Sequence, residues 1–340
     1  MTRWLFTAFS FGVVIAMSIY AVRHNAPGGV SLIIPWQAHA LAFLGFSIEV
    51  ASRSLKLVWN AKAVGARLTL KTAVKTSLGG DFGASITPAR SGAEPARYLI
   101  LAESGMSIPE AMVVMYTELF FEMLSLAAVV GVMLLAFDAS AAARVTMTGI
   151  VGVYSAVICS MAVVAVMLTR GTLTDEPPAW AARLGVRGGR WVFVRRWVER
   201  VRGTVAAFKR MRFGWGVMSL LASIVHVGVR FTILPAIVFT MLPTAAAAAV
   251  PLGALVVWPF TLIYGAGVVP APAGGGAVEL AFSAALRGTI PPAAFAASLL
   301  WWRFYTFYLY IGGGAMVAGR MVLCALREAE QEVEDEFENA

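Results

Sequence analysis

Apolar residues run almost without interruption through six stretches of the chain, at about 4–22, 32–52, 108–137, 145–169, 213–241 and 291–321. Each is long enough, at roughly 20 residues or more, for an α-helix to cross a bilayer. Arg3 precedes the first run, as in a signal peptide, but the run is long and shows no clear small-x-small cleavage site, so it reads as a span. Two further stretches, 70–105 and 251–289, are apolar in part but cut by glycine, proline and charge. Non-helical backbone survives at membrane depth only where protein buries it or where it lines a cavity. Each of these stretches therefore reads as a re-entrant helical hairpin. The pattern predicts an all-α integral membrane protein of about six transmembrane helices plus two hairpins, in a single polytopic domain over 1–325.

Residues 188–212 follow a different pattern. Trp191, Val194, Val198, Val201, Val205 and Phe208 recur at spacings of three and four, while Arg195, Arg196, Arg200, Arg202, Lys209 and Arg210 fill the other faces. That is an amphipathic helix of the kind that lies on a membrane surface. Residues 326–340 form a tail with Glu328, Glu330, Glu332, Glu334, Asp335, Glu336 and Glu338, a solvated acidic end.

Composition sharpens this reading. Hydrophobic residues make up 59% of the 340 and charged residues 14%, against about 45–50% and about 25% in soluble domains. An ordinary soluble globule and a disordered chain are both excluded. The net charge of +8 would suggest nucleic acid in a soluble protein, but here the charges gather between apolar runs and report topology. The connection 53–75 carries Arg53, Lys56, Lys62, Arg67, Lys71 and Lys75 with no acid, and 170–212 is also strongly basic. The connections on the opposite side, 23–31, 138–144 and 242–250, are nearly uncharged. The positive-inside rule places the basic connections, and with them both termini, in the cytoplasm. Cys159 and Cys324 lie in apolar segments and suggest no disulfide framework. His24, His39 and His226 show no metal-ligand spacing. No cofactor motif appears.

A shift of 182 residues aligns the two broken segments. Phe82-Gly83-Ala84-Ser85-Ile86-Thr87-Pro88-Ala89 meets Tyr264-Gly265-Ala266-Gly267-Val268-Val269-Pro270-Ala271, Gly92 meets Gly274, and Ile108-Pro109 meets Ile290-Pro291. An odd number of spans between the copies inverts one relative to the other. Broken helices at matching places of an inverted repeat point to a transporter's central site, although a duplication kept only for packing leaves the same trace.

The candidate chemistry sits on these segments. In the first, Arg90, Glu94 and Arg97 surround a glycine turn at Gly92, with Pro95 suited to a first helical position. A helix N-terminus flanked by arginines attracts an anion such as a lipid phosphate; an internally satisfied ion cluster fits the same residues. In the second, Gly274, Gly275 and Gly276 allow close backbone approach before Glu279. Glu118 and Glu122 share a face of the third span, and Arg303 lies in the last. Charges inside a membrane mark functional sites by default, though some are only partners of one another. Arg230 and Glu49 are candidates for that structural set, and His226 shares a face with Arg230.

These residues resemble the motifs of the lysylphosphatidylglycerol synthase transmembrane (flippase-like) family of bacterial and archaeal membrane proteins. The first segment is similar to Pro-x-Arg-x-Gly-Gly-Glu-x-x-Arg through Pro88, Arg90, Gly92, Glu94 and Arg97, with Ala93 in place of a glycine. The second is similar to Pro-x-Pro-Gly-Gly-x-Gly-x-x-Glu through Pro270, Pro272, Gly274, Gly276 and Glu279, with Ala273 in place of a glycine. Arg303 resembles the arginine of the family's last span. Glu118-Leu119-Phe120-Phe121-Glu122 departs from it, lacking the arginine of a Glu-Arg-x-x-Asp pattern. The resemblance covers most of 5–325 and implies translocation of a phospholipid or isoprenoid-phosphate lipid, in a stand-alone member without the synthase domain, at the bacterial cytoplasmic (inner) membrane.

The leading expectation is therefore a non-enzymatic lipid translocator. In it Arg90, Arg97 and Arg303 neutralise phosphate, while Glu94, Glu279 and the acidic pair Glu118 and Glu122 complete the headgroup site. The alternatives are an accessory subunit of a larger membrane complex and a transferase acting on an isoprenoid phosphate; the expected partners are membrane lipids, with a homo-oligomer or a membrane complex also open. The transferase needs a base or metal pair, for which Glu118 and Glu122 are the available carboxylates.

Overall fold

A computed structural model describes residues 2–25, 32–87, 90–137, 141–170, 174–183, 188–265 and 276–321. Every regular element among them is helical. In chain order these are α1 (Thr2–Asn25), α2 (Trp36–Ala63), α3 (Leu70–Ile86), α4 (Ala93–Glu103), α5 (Ile108–Ala136), α6 (Ala141–Arg170), α7 (Ala179–Arg183), α8 (Gly189–Lys209), α9 (Phe213–Arg230), α10 (Ile233–Met241), α11 (Thr244–Ala248), α12 (Leu252–Gly265), α13 (Ala277–Leu286) and α14 (Pro292–Arg303). The last helix continues through a π-helical turn, Phe304–Tyr308, and on over 309–321. Three helical segments are long and apolar enough to cross a membrane: Pro109–Ala136, Ala141–Arg170 and Phe213–Met241, the last being α9 and α10 joined through a turn. The segments Gly12–Ala21, Leu252–Gly265 and Ala277–Leu286 are shorter and apolar. The acidic tail and the stretch 266–275, with Gly274 and Gly275, lie outside the described residues.

Local chemistry sets the helix starts. The Thr69 hydroxyl caps α3 by accepting from the Thr72 amide at 3.2 Å. At the head of α5, Glu110 reaches back to accept from the Ser107 amide at 3.0 Å, and Pro109 fills the first turn, where an amide hydrogen would go unused. α8 buries Trp191, Val198 and Val201 against the bundle and packs on α5 and α6, as its apolar spacing anticipates.

Polarity is distributed inside out. Val153, Leu135 and Met167 are exposed, whereas Glu49, Lys56, Glu118, His226, Glu279 and Arg303 are buried. Water would penalise such an arrangement; a hydrocarbon solvent favours it, since charges then pair with one another in the interior.

Several expectations need correction. The second apolar run ends near residue 52, but α2 continues to Ala63. Arg53 and Lys56 are therefore buried helical residues rather than part of a basic connection, and Ala61 is buried with them. Their charges have partners inside the bundle, so the helix does not stop where hydropathy falls. The fifth run is divided at Phe231–Thr232 into α9 and α10. In the first hairpin segment α4 starts at Ala93, which puts Pro95 at its third position. Gly92 has an ordinary φ of −80°, and the left-handed residue is Arg90, with φ 60°. Gly92 is required for closeness instead. A Cβ there would lie 2.7 Å from the Gly83 carbonyl oxygen, and one on Gly83 would lie 2.6 Å from the Gly92 oxygen. Thr87 ties the turn, donating to the Gly83 carbonyl at 2.8 Å and accepting from the Gly92 amide at 2.7 Å.

Candidate functional site

α3 and α4 pack side by side, as do α12 and α13. A narrow cleft is lined from both pairs. Ala84, Ser85 and Arg90 contribute from the first, and Leu262, Ile263 and Val278 from the second. Arg230 of α9, together with Arg303, Thr306 and Phe307 of the last helix, completes the lining. The cleft and its open mouth hold about 470 Å³ of empty space. Three guanidinium groups from three different elements face this space, and no carboxylate is among the lining residues.

Each of the three arginines has a carboxylate behind it. Arg303 Nε donates to Glu279 Oε1 at 2.7 Å. Glu279 is buried in the first turn of α13, whose cap Gly276 adopts a left-handed φ of 83°. Arg230 Nη1 lies 4.0 Å from Glu49, and its Nη2 donates to the Thr306 carbonyl at 3.3 Å. Thr306 belongs to the π-helical turn, a local widening that is frequent at functional sites. Arg90 Nη2 is 3.8 Å from Asp81, which also accepts from Arg53 Nη2 at 2.5 Å. Arg53 and Arg230 both lie over the Tyr310 ring, and Arg303 lies 4.1 Å from the Phe307 ring centroid. Arg303 Nη2 and Arg230 Nε are buried with no hydrogen-bond acceptor among the described residues.

A second ion cluster adjoins the cleft. Lys56 Nζ lies 3.2 Å from Glu118 and 3.5 Å from Glu122. Arg97 pairs with Glu118 and donates from Nη1 to Glu94 at 3.2 Å. Tyr264 OH donates to Glu122 at 3.5 Å. Over both clusters the cations Arg53, Lys56, Arg90, Arg97, Arg230 and Arg303 balance the anions Glu49, Asp81, Glu94, Glu118, Glu122 and Glu279 one for one. The interior is neutral as a whole and positive at the cleft wall.

The residues singled out by sequence thus divide. Arg90 and Arg303 reach the cleft, with Glu279 behind Arg303. Arg97, Glu94, Glu118 and Glu122 meet in the neighbouring cluster. Gly276 packs against Met17 of α1, and Gly274 and Gly275 lie outside the described residues. Arg230, assigned to a structural pair with Glu49, keeps that partner but also lines the cleft. Sequence reading placed Arg53 and Lys56 in a connection rather than in the site, and did not single out Asp81. A signal was available: Glu49, Arg53, Lys56 and Asn60 follow one another at four, three and four residues, a polar stripe along one face of α2. Among the described residues no group of three or more His, Cys, Asp or Glu side chains is placed to hold a metal ion.

The chain was also compared with known proteins. The family model described as the lysylphosphatidylglycerol synthase TM region matches residues 4–314. No curated protein matches the chain. The family match takes in every cleft residue and both ion clusters, and it identifies a membrane protein of lipid modification or translocation. The chain belongs to the lysylphosphatidylglycerol synthase transmembrane-region family.

Proposed function

We propose that this protein moves an anionic lipid across the bilayer, holding the lipid's phosphate in the cleft while the tails remain in hydrocarbon. One observation carries the reading: Arg90, Arg230 and Arg303 converge on one space that no carboxylate lines. Guanidinium forks match phosphate oxygens in geometry and charge. A buried cation without a partner costs several kcal/mol, roughly, so each arginine is held by a carboxylate, while Arg230 and Arg303 each keep a buried donor with no acceptor among the described residues. In this reading the α3–α4 and α12–α13 pairs are re-entrant hairpins of an inverted repeat within one polytopic domain of six spans. Both termini are cytoplasmic, in the inner membrane of a bacterium. The hairpins enter from opposite faces and part to widen a cleft that is narrow in this state. Arg97, Glu94, Glu118 and Glu122 form the hinge cluster beside the site.

Lipid retention tests this. Purified protein is passed through mixed phosphatidylglycerol and phosphatidylcholine micelles, and the retained lipid is read by native mass spectrometry. Arg303→Gln keeps hydrogen bonding and much of the volume but removes the charge, so phosphatidylglycerol retention should fall about tenfold or more, the scale of one charge-assisted hydrogen bond, with monodisperse elution preserved. Glu279→Gln should retain as much or more and alter transbilayer movement in proteoliposomes. Equal retention by Arg303→Gln and the parent would leave Arg303 and Glu279 as a structural pair and remove the phosphate site.

A further inference from the structure

The Glu49 carboxylate is fully buried and shared by three potential cations. Arg53 Nε lies 3.7 Å from Oε1, His226 Nε2 3.2 Å and Arg230 Nη1 4.0 Å. The His226 contact is the shortest of the three. His226 is itself buried, and its Nδ1 has no hydrogen-bond partner among the described residues. One helical turn along α9, Arg230 competes for the same carboxylate and faces the cleft. A histidine is the side chain whose ordinary titration falls between about pH 5 and 8.

We propose that His226 and Glu49 form a proton-binding site linked to the cleft. Uptake of one proton at His226 draws the carboxylate to the imidazolium and releases Arg230 toward an anionic headgroup. This rests on the headgroup reading given above and supplies its coupling ion. The groups acting on His226 come from three elements. Glu49 and Lys56 belong to α2, Glu122 to α5, and Arg230 to α9 itself. Against burial, and after it the positive charge of Lys56, the ring has the negative charges of Glu49 and Glu122. Beyond Glu49 stand Arg53 and, from the last helix, Tyr310. Linkage is reciprocal: if a proton on His226 strengthens anion binding, a bound anion must strengthen proton binding equally. Transfer of the lipid then carries a proton with it, and a pH gradient can set the direction.

The first test needs no lipid substrate. The variant His24→Gln/His39→Gln leaves His226 as the sole histidine; it is labelled with ¹⁵N-histidine and placed in phosphatidylcholine nanodiscs. Its ring nitrogens should pass from neutral to charged between pH 8 and 5. A ring that keeps one protonation state across that range overturns the proposal. The second test is phosphatidylglycerol retention against pH. In the parent it should rise as pH falls, with a slope approaching about tenfold per unit, the limit for one linked proton. In His226→Gln the profile should be flat. If that variant fails to elute monodisperse, Glu49→Gln serves instead, since it releases Arg230 permanently and should give high, pH-independent retention. Retention that is strong but equally flat in the parent overturns the proton link and leaves the headgroup site standing. No retention of phosphatidylglycerol at any pH removes the headgroup site, and the proton link with it.

Discussion

Lys56 has no exposed surface and lies between Glu118 and Glu122, with Arg97 on the far side of Glu118. A lysine so placed offsets the repulsion between two carboxylates in a low-dielectric interior. Lys56→Met keeps the volume and removes the charge, so it should destabilise the protein by about 3–5 kcal/mol, the penalty for breaking a buried pair. The check is thermal unfolding in detergent, where the variant should melt well below the parent. Adding Glu118→Gln should not restore stability fully, because Arg97 then loses the buried one of its two carboxylate partners. Melting within a degree of the parent would show that the pairing contributes nothing. The stripe Glu49, Arg53, Lys56 and Asn60 was legible as a period in the sequence. Which partner each residue meets was not, because those partners lie on α3, α5 and α9 and depend on how each helix is rotated.

At the scale of elements, the α3–α4 pair depends on glycines in two distinct ways. Gly83 and Gly92 allow two backbones to touch, and the glycine at 314 lets the last helix press on the Leu78 carbonyl of α3. Gly131 in α5 has nothing within 4 Å of where a Cβ would stand. Gly83→Ala should therefore destabilise by about 1–3 kcal/mol through overpacking. Gly131→Ala should stabilise by about 0.5–1 kcal/mol by restricting the unfolded chain and favouring the helix. Parallel melting curves of the two variants check the contrast; a shared sign would mean that the close approach at Gly83 is not required. Sequence revealed the break in this segment through its glycines and prolines. It misplaced the strain: Gly92 was read as the reversing residue, yet the left-handed backbone falls on Arg90. An arginine in that conformation costs about 1–3 kcal/mol, a strain of the kind that clusters at ligand sites.

For the whole molecule, contacts between helix ends define the two ends of the bundle. The Arg212 amide at the start of α9 donates to the Ala63 carbonyl at the end of α2 at 2.8 Å. Lys75 near the start of α3 pairs with Glu103 at the end of α4 and contacts Met321 at the end of the last helix. Arg202 of α8 donates to the Leu168 carbonyl near the end of α6. At the other end His24 contacts Arg287, and the Trp301 indole donates to the Leu32 carbonyl. The first of these ends carries Lys62, Lys75 and Arg212, from the two connections whose charge predicts the cytoplasm, whereas Arg53 and Lys56 lie inside the bundle. With Cys159 and Cys324 replaced by serine, Leu70→Cys and Ala206→Cys should resist an impermeant thiol reagent in intact cells, and Thr244→Cys should react. All three positions are exposed in the structure, so accessibility reports sidedness rather than burial. The reverse pattern of labelling would invert the topology.

The sequence by itself determined that this is a helical membrane protein, where its surface is apolar, and that charges lie in its interior. Those properties follow from hydropathy, helical period and the position of charge along one dimension. Only the tertiary structure decided where α2 ends, which residues form the cleft wall and which form the neutral cluster beside it. Arg230 and Arg97 look alike in sequence, each an arginine near other charges in an apolar helix. One faces the cleft and the other is held by Glu118, because each residue turns its side chain by about 100° around a helix. Rotation and register are set by packing among all the helices at once, and no local stretch of sequence contains them.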